Sequence, residues 1–227
     1  DAPASPSPAS PSRASPAAPD GSAGHGDGIG PAWRFLRGHR TLAVLAGALV
    51  VLSMSGAAVL ALLVLVVTER WGLDDAWFGV ALTLVACGAT LAGMLAGAVR
   101  RLLSARATMS LAVAVNAVSY LVIGAAGALA AIPALVAWGI AVTLGNITSV
   151  GIRQRAVPPA LLGRVMGLFR AALGAGGVVG ATLGGVLAGA TTVGTVAVVA
   201  GAVQLPVAVV LLVALPHEPR RRSTARG

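Results

Sequence analysis

The residues with chemistry to offer are the few polar side chains set inside long apolar runs: Asn116, Tyr120, Asn146, Arg170 and Gln204. An amide or a guanidinium has hydrogen-bonding capacity that hydrocarbon cannot meet, so such groups tend to face a bundle interior or a water-filled path. They are therefore the candidates for lining a substrate path. Ser119, Thr148, Ser149, Ser53 and Ser55 also interrupt the runs, but a hydroxyl can bond back to its own helix and needs no path. For the amides the competing reading is hydrogen bonding between helices. Arg170 has one too, because it lies about 9 Å beyond Arg164 along a helix and its long side chain can reach back to the headgroups.

The missing side chains narrow the chemistry further. No Asp, Glu or His falls inside the apolar runs, so no obvious group is placed there to take up and release a proton. His25, His39 and His217 are scattered through polar segments and Cys87 is the single cysteine, which gives neither a metal-ligand spacing nor a disulfide. There is no P-loop, no nucleophile with a paired base and no loop long enough for a soluble catalytic domain. The expectation is a protein with no catalytic residues, no metal and no cofactor.

The elements that carry these side chains follow from the apolar runs. The chain is 57% apolar and only 10% charged, where soluble domains carry about a quarter charged residues. This is a membrane composition. Thr41 to Val67 runs 27 residues without a charge, enough to cross a hydrocarbon core of about 30 Å. Five more runs follow, at Ala76–Val99, Thr108–Ala131, Pro133–Ile152, Val165–Ala190 and Thr192–Leu215, and Arg170 is the one charge in them. Their length and all-round apolarity predict helices, since a membrane strand needs only about ten residues of alternating polarity. The fold class expected is an all-α membrane protein with six transmembrane helices over residues 34–215.

Arginine fixes the orientation. All sixteen cations are Arg, and thirteen of them lie in the clusters Arg34–Arg40 before the first span, Arg100–Arg106 between the second and third, Arg153–Arg164 between the fourth and fifth, and Arg220–Arg226 after the sixth. On the other side stands Arg70, beside Glu69, Asp74 and Asp75. This bias predicts cytoplasmic termini in a multi-pass cell-membrane protein, and it argues against nucleic-acid binding because the Arg residues gather on no single soluble face. Residues 1–33 are rich in Pro, Ala, Ser and Gly with no apolar period, which reads as a disordered linker or tail. They lack the apolar stretch of a signal peptide, and with no initiator Met the chain is expected to begin mid-protein or to have been processed. Residues 216–227 read as a basic cytoplasmic tail.

The stretch RQRAVPPALLGRVMGLFR, Arg153 to Arg170, followed by a Gly-rich helix, resembles the cytoplasmic connection before the eleventh helix of export-type major facilitator superfamily transporters. The likeness extends over all six spans. Gly167, Gly176, Gly180, Gly184 and Gly185 fall at the spacing of that superfamily's antiporter glycine motif, G-x8-G-x3-G-P-x2-G-G, with Ala181 in place of the proline. Close helix packing is the other reading of these glycines. Gly97, Arg100, Arg101 and Arg106 resemble the family's loop motif of a glycine followed by an Asp-Arg pair, although Arg100 replaces its acidic residue and the inner glycine is missing.

The resemblance implies the C-terminal half of a twelve-helix transporter, built as two three-helix inverted repeats. The leader then stands where the linker between halves would be. The partners implied are the lipid bilayer, a small-molecule substrate moved outward and the missing N-terminal six-helix half, with any coupling carboxylate in that half. The alternatives are a stand-alone six-helix protein acting as a homodimeric permease or channel, a non-transporting scaffold, and the permease subunit of an ATP-driven system.

Overall fold

The structure is a computed structural model that describes residues 30–215. Residues 1–29 of the expected leader and the tail 216–227 lie outside the described residues. Every element in the described part is helical: α1 (Gly30–Gly38), α2 (Arg40–Leu65), α3 (Ala76–Leu102), α4 (Ala105–Ala125), α5 (Ala128–Ala156), α6 (Pro159–Ala190) and α7 (Val193–Ala214). The helices α2 to α7 are long and apolar enough to cross a membrane. The extra helix, α1, takes in residues 30–33 of the expected leader. It buries Ala32 and Leu36 against α2 and α6, while Arg37 lies 5.5 Å from the ring of the exposed Trp33.

Local chemistry explains the starts of α4, α6 and α7. Ser104 accepts a hydrogen bond from the Ala107 amide and Thr192 from the Thr195 amide, side-chain caps for the otherwise orphaned first turns of α4 and α7. Pro159 opens α6, where its missing N–H costs nothing. The expected break at residues 131–133 is not there. It falls instead at Ala126 and Gly127, and Pro133 lies inside α5. The Gly127 carbonyl already accepts from the Ala131 amide, so Pro133 removes a single bond near the start of an established helix, which neighbouring helices make tolerable in a membrane. α2 ends in a π-helical turn, Val66–Arg70.

Two apolar clusters mark the two ends of the bundle. At one end Leu42 and Leu45 of α2, Met109 and Val113 of α4, and Val165 and Phe169 of α6 meet Ala208 and Leu211 of α7 and Val157 just past α5. At the other, Leu63 of α2 and Ile123 of α4 meet Leu135 of α5 and Ala197 of α7. Starts of even-numbered helices thus meet ends of odd-numbered ones, so successive helices run antiparallel. Arg40, Arg106 and Arg164 near the starts of α2, α4 and α6 lie at the same end as Arg100, Arg101, Arg153 and Arg155 in the last turns of α3 and α5.

The helices meet through glycine. On α6, a Cβ at Gly180 would overlap the Met54 backbone of α2, and one at Gly184 would lie 2.8 Å from the Ala58 Cβ. Gly88 of α3 and Gly139 of α5 oppose each other's helices in the same way, at Val136 and at Val85. Between α4 and α7, a Cβ on Gly124 would sit 2.5 Å from the Gly194 carbonyl oxygen and one on Gly201 2.6 Å from that of Ala117. Contacts this close let dispersion and weak backbone contacts hold helices that lipid does not push together. Gly180→Val is expected to cost about 1–3 kcal/mol through overpacking, read as a lower melting temperature in detergent, whereas Gly167→Ala, where a Cβ meets open space, leaves it unchanged.

Candidate functional site

A cavity of about 360 Å³ opens between α2, α4 and α5, with Leu173 of α6 at its edge. Its α4 wall presents Asn116 and Tyr120, its α5 wall Trp138 and Asn146, and its α2 wall Gly56. Tyr120 and Trp138 are buried and meet edge to face, 5.3 Å between centroids at 78°. A Cβ on Gly56 would lie 3.3 Å from the Tyr120 hydroxyl, so this glycine keeps the space in front of the ring open. No charged residue lines the cavity.

The polar groups around it are fixed by bonds between helices. Asn116 Nδ2 donates to Gln204 Oε1 on α7 at 2.8 Å, both side chains being buried. That single bond leaves Asn116 Oδ1 and Gln204 Nε2 buried with no partner. Ser53 Oγ donates to the Leu173 carbonyl at 2.7 Å and ties α2 to α6, and Ser110 Oγ donates to the Ala208 carbonyl at 2.7 Å and ties α4 to α7. Ser119 bonds back to Val115, as a helical hydroxyl can.

Of the candidates taken from the sequence, Asn116, Tyr120 and Asn146 share the cavity wall. Gln204 stands behind Asn116 as its partner. Arg170 is not on the wall, being exposed on α6. The five-glycine pattern splits: Gly176, Gly180 and Gly184 are buried against α2, while Gly167 and Gly185 are exposed with nothing near.

Sequence reading missed Gly56 and Trp138, which are indistinguishable from other members of their apolar runs. It also treated Arg153 as one of a topogenic cluster. In the fold Arg153 is buried, with its guanidinium 4.7 Å from the centroid of Phe169 on α6 and its Nε donating to the Ser149 carbonyl at 3.2 Å. The cation–π contact joins α5 to α6. At the opposite end Arg70 donates to the Ala125 carbonyl at 2.7 Å, placing a cation at the C-terminus of α4 where the helix dipole favours it.

Residues 44–227 match the family model described as Major Facilitator Superfamily. No curated protein matches the chain.

The Asn116–Gln204 pair makes a sharp test of how these amides act. Asn116→Leu leaves Gln204 buried without its donor and is expected to cost about 1 kcal/mol. The double variant Asn116→Leu/Gln204→Leu is expected to cost less than the sum of the single changes. A double-mutant cycle on detergent melting measures the difference.

Proposed function

The chain belongs to the major facilitator superfamily, and on that premise we propose that it is the C-terminal six-helix half of a secondary exporter that moves a small organic molecule outward. Membrane transport is the activity of the family, which is not an enzymatic one, and six membrane-capable helices make the chain a multi-pass membrane protein. The finer reading adds a second six-helix half, an outward direction and cytoplasmic ends.

The observation that carries the two-half reading is the open face of α3 and α6. On α3, Gly79, Thr83, Ala86, Thr90, Gly93 and Gly97 recur every three or four residues along one exposed stripe. The hydroxyls of Thr83 and Thr90 bond back to Gly79 and Ala86, so the stripe is small and apolar. On α6, Gly163, Gly167, Gly174, Gly185 and Gly189 lie on one face with nothing within 4 Å, and Arg170 falls on that face by helical spacing. Small residues in a row are how membrane helices admit another helix closely. In this reading the stripes receive the helices of the other half, and Arg170 looks toward that half.

Helix pairing supports the inverted repeats. If α2–α4 and α5–α7 are equivalent, the α2–α6 contact corresponds to α5–α3, and α2–α7 to α5–α4, while α4–α7 maps onto itself. These are the principal contacts of the bundle. A bundle so paired can rock against a mate about a midplane site. The Arg-rich end faces the cytoplasm in this reading, and with no Asp, Glu or His in the spans any coupling carboxylate belongs to the other half.

Two outcomes are expected. In the full-length protein, expressed in an efflux-deficient host and assayed with a panel of fluorescent dyes, Gly93→Leu combined with Gly174→Leu abolishes efflux at an unchanged level of protein in the membrane; undiminished efflux would remove the two-half reading. In a Cys87→Ser background, Asp74→Cys reacts with an impermeant thiol reagent added to intact cells and Ser104→Cys does not, the reverse pattern being a refutation of the orientation.

A further inference from the structure

Helix α1 differs from the six spans in its position and in its two faces. It is nine residues long, too short to cross a bilayer, and one extended residue, His39, separates it from the first span, α2. It lies ahead of residues 44–227, which carry the family match. Ala32 and Leu36 are buried and Phe35 packs beside them, in the apolar cluster that also holds Leu42 and Leu45 of α2 and Val165 and Phe169 of α6. α1 is thus folded onto the Arg-rich end of the bundle, where the spans leave the hydrocarbon.

The other face of α1 has a different chemistry. At about 100° per residue, Gly30, Trp33, Arg34 and Arg37 fall away from Ala32, Phe35 and Leu36, and all four are exposed. Trp33 is 47% exposed, and the Arg37 guanidinium lies 5.5 Å from the centre of its ring. Tryptophan suits the membrane interface because its ring is apolar while its N–H seeks a wet partner. Arginine presents a fork of donors that matches phosphate oxygens.

No carboxylate of the described residues stands near to answer these cations. The acids among those residues are Glu69, Asp74 and Asp75, which lie at the opposite end of the bundle, while Arg40, Arg106 and Arg164 share the end with α1. A helix lying at headgroup level meets phosphates instead. The phosphate of phosphatidylcholine is balanced by its own choline, so a lipid of net negative charge is the better counter-ion for a basic surface.

We infer that α1 is an interfacial helix whose exposed face binds the headgroups of anionic phospholipids, with Trp33 at the hydrocarbon boundary and Arg34 and Arg37 on the phosphates. An ordinary surface helix sinks its apolar face into lipid. Here that face is spent on α2 and α6, which leaves the basic face to the headgroups. The binding needs the bilayer, and neither a second half nor transport.

The test uses the full-length protein with its cysteines replaced by serine, Cys87→Ser among them, and a bimane fluorophore on Gly30→Cys, an exposed position where nothing lies within 4 Å of an added Cβ. The protein is placed in nanodiscs of phosphatidylcholine, part of which carries a headgroup nitroxide, and unlabelled phosphatidylglycerol or unlabelled phosphatidylcholine is titrated in. The nitroxide is expected to quench the label. Phosphatidylglycerol is expected to relieve that quenching with a preference over phosphatidylcholine of about five- to twentyfold, an arginine beside an anionic surface being worth about fivefold. Arg34→Gln with Arg37→Gln, both exposed positions, keeps the quenching and brings the preference close to unity. Inorganic phosphate, compared with chloride at equal ionic strength, leaves the preference unchanged. An unquenched label would place this face against protein or water, an undiminished preference in the double variant would assign the effect to other arginines, and a preference erased by inorganic phosphate would make the site one for soluble anions; each of these overturns the inference. Dye export without a lipid preference refutes this inference alone, and a lipid preference without export refutes the transporter reading alone.

Discussion

Helices in lipid gain nothing by hiding apolar surface from one another, because the acyl chains are as apolar as leucine. This bundle therefore depends on how closely its backbones can approach, and glycine sets that distance. Gly180 and Gly184 seat α6 on α2, Gly88 and Gly139 seat α3 and α5 on each other, and Gly124, Gly194 and Gly201 do the same for α4 and α7. At each seam a methyl group would press into the facing helix. Hydroxyls and amides then add direction to contact: Ser53 to Leu173, Ser110 to Ala208 and Asn116 to Gln204 each cross between helices.

The same constraint shapes the site. Where α2, α4 and α5 do not close on glycine, space remains, and Gly56 keeps it open in front of Tyr120. The polar groups near that space are amides and hydroxyls, which a bilayer interior tolerates far better than charges. Apart from Arg170, partway along α6, the cations of the described residues stand near the helix ends. Arg153 is buried there against Phe169, and Arg70 caps α4 at the other end. The bundle thus offers an uncharged interior between charged rims, and an open small-residue face on α3 and α6.

Much of the fold was legible because a bilayer imposes length and polarity on its spans. The long apolar runs gave six helices, and the family likeness in Arg153–Arg170 agrees with the superfamily match over residues 44–227. Pro133 misled as a helix boundary because proline is a strong breaker in water but a tolerated residue in a membrane helix; Gly127, in an extended conformation, was the truer signal. The split of the five glycines was available in their spacing. At about 100° per residue, Gly176, Gly180 and Gly184 fall on one side of α6 and Gly167 and Gly185 on the other. Long-range pairing was not available. Asn116 and Gln204 stood out one by one as polar interruptions, but nothing in a single sequence joins residues 88 positions apart, and nothing distinguishes Gly56 or Trp138 from other small or aromatic residues in their runs.

The proposed transport function requires a water-accessible path along the wall formed by α4 and α5, within the membrane. Asn146 lies on that wall, so the most direct measurement is the reactivity of a cysteine placed there, Asn146→Cys with Cys87→Ser, in the full-length protein in membrane vesicles. The account predicts reaction with a charged, membrane-impermeant thiol reagent at a rate comparable to that of a permeant maleimide. Labelling by the permeant maleimide alone would show that the position faces lipid or sealed protein, and would contradict it.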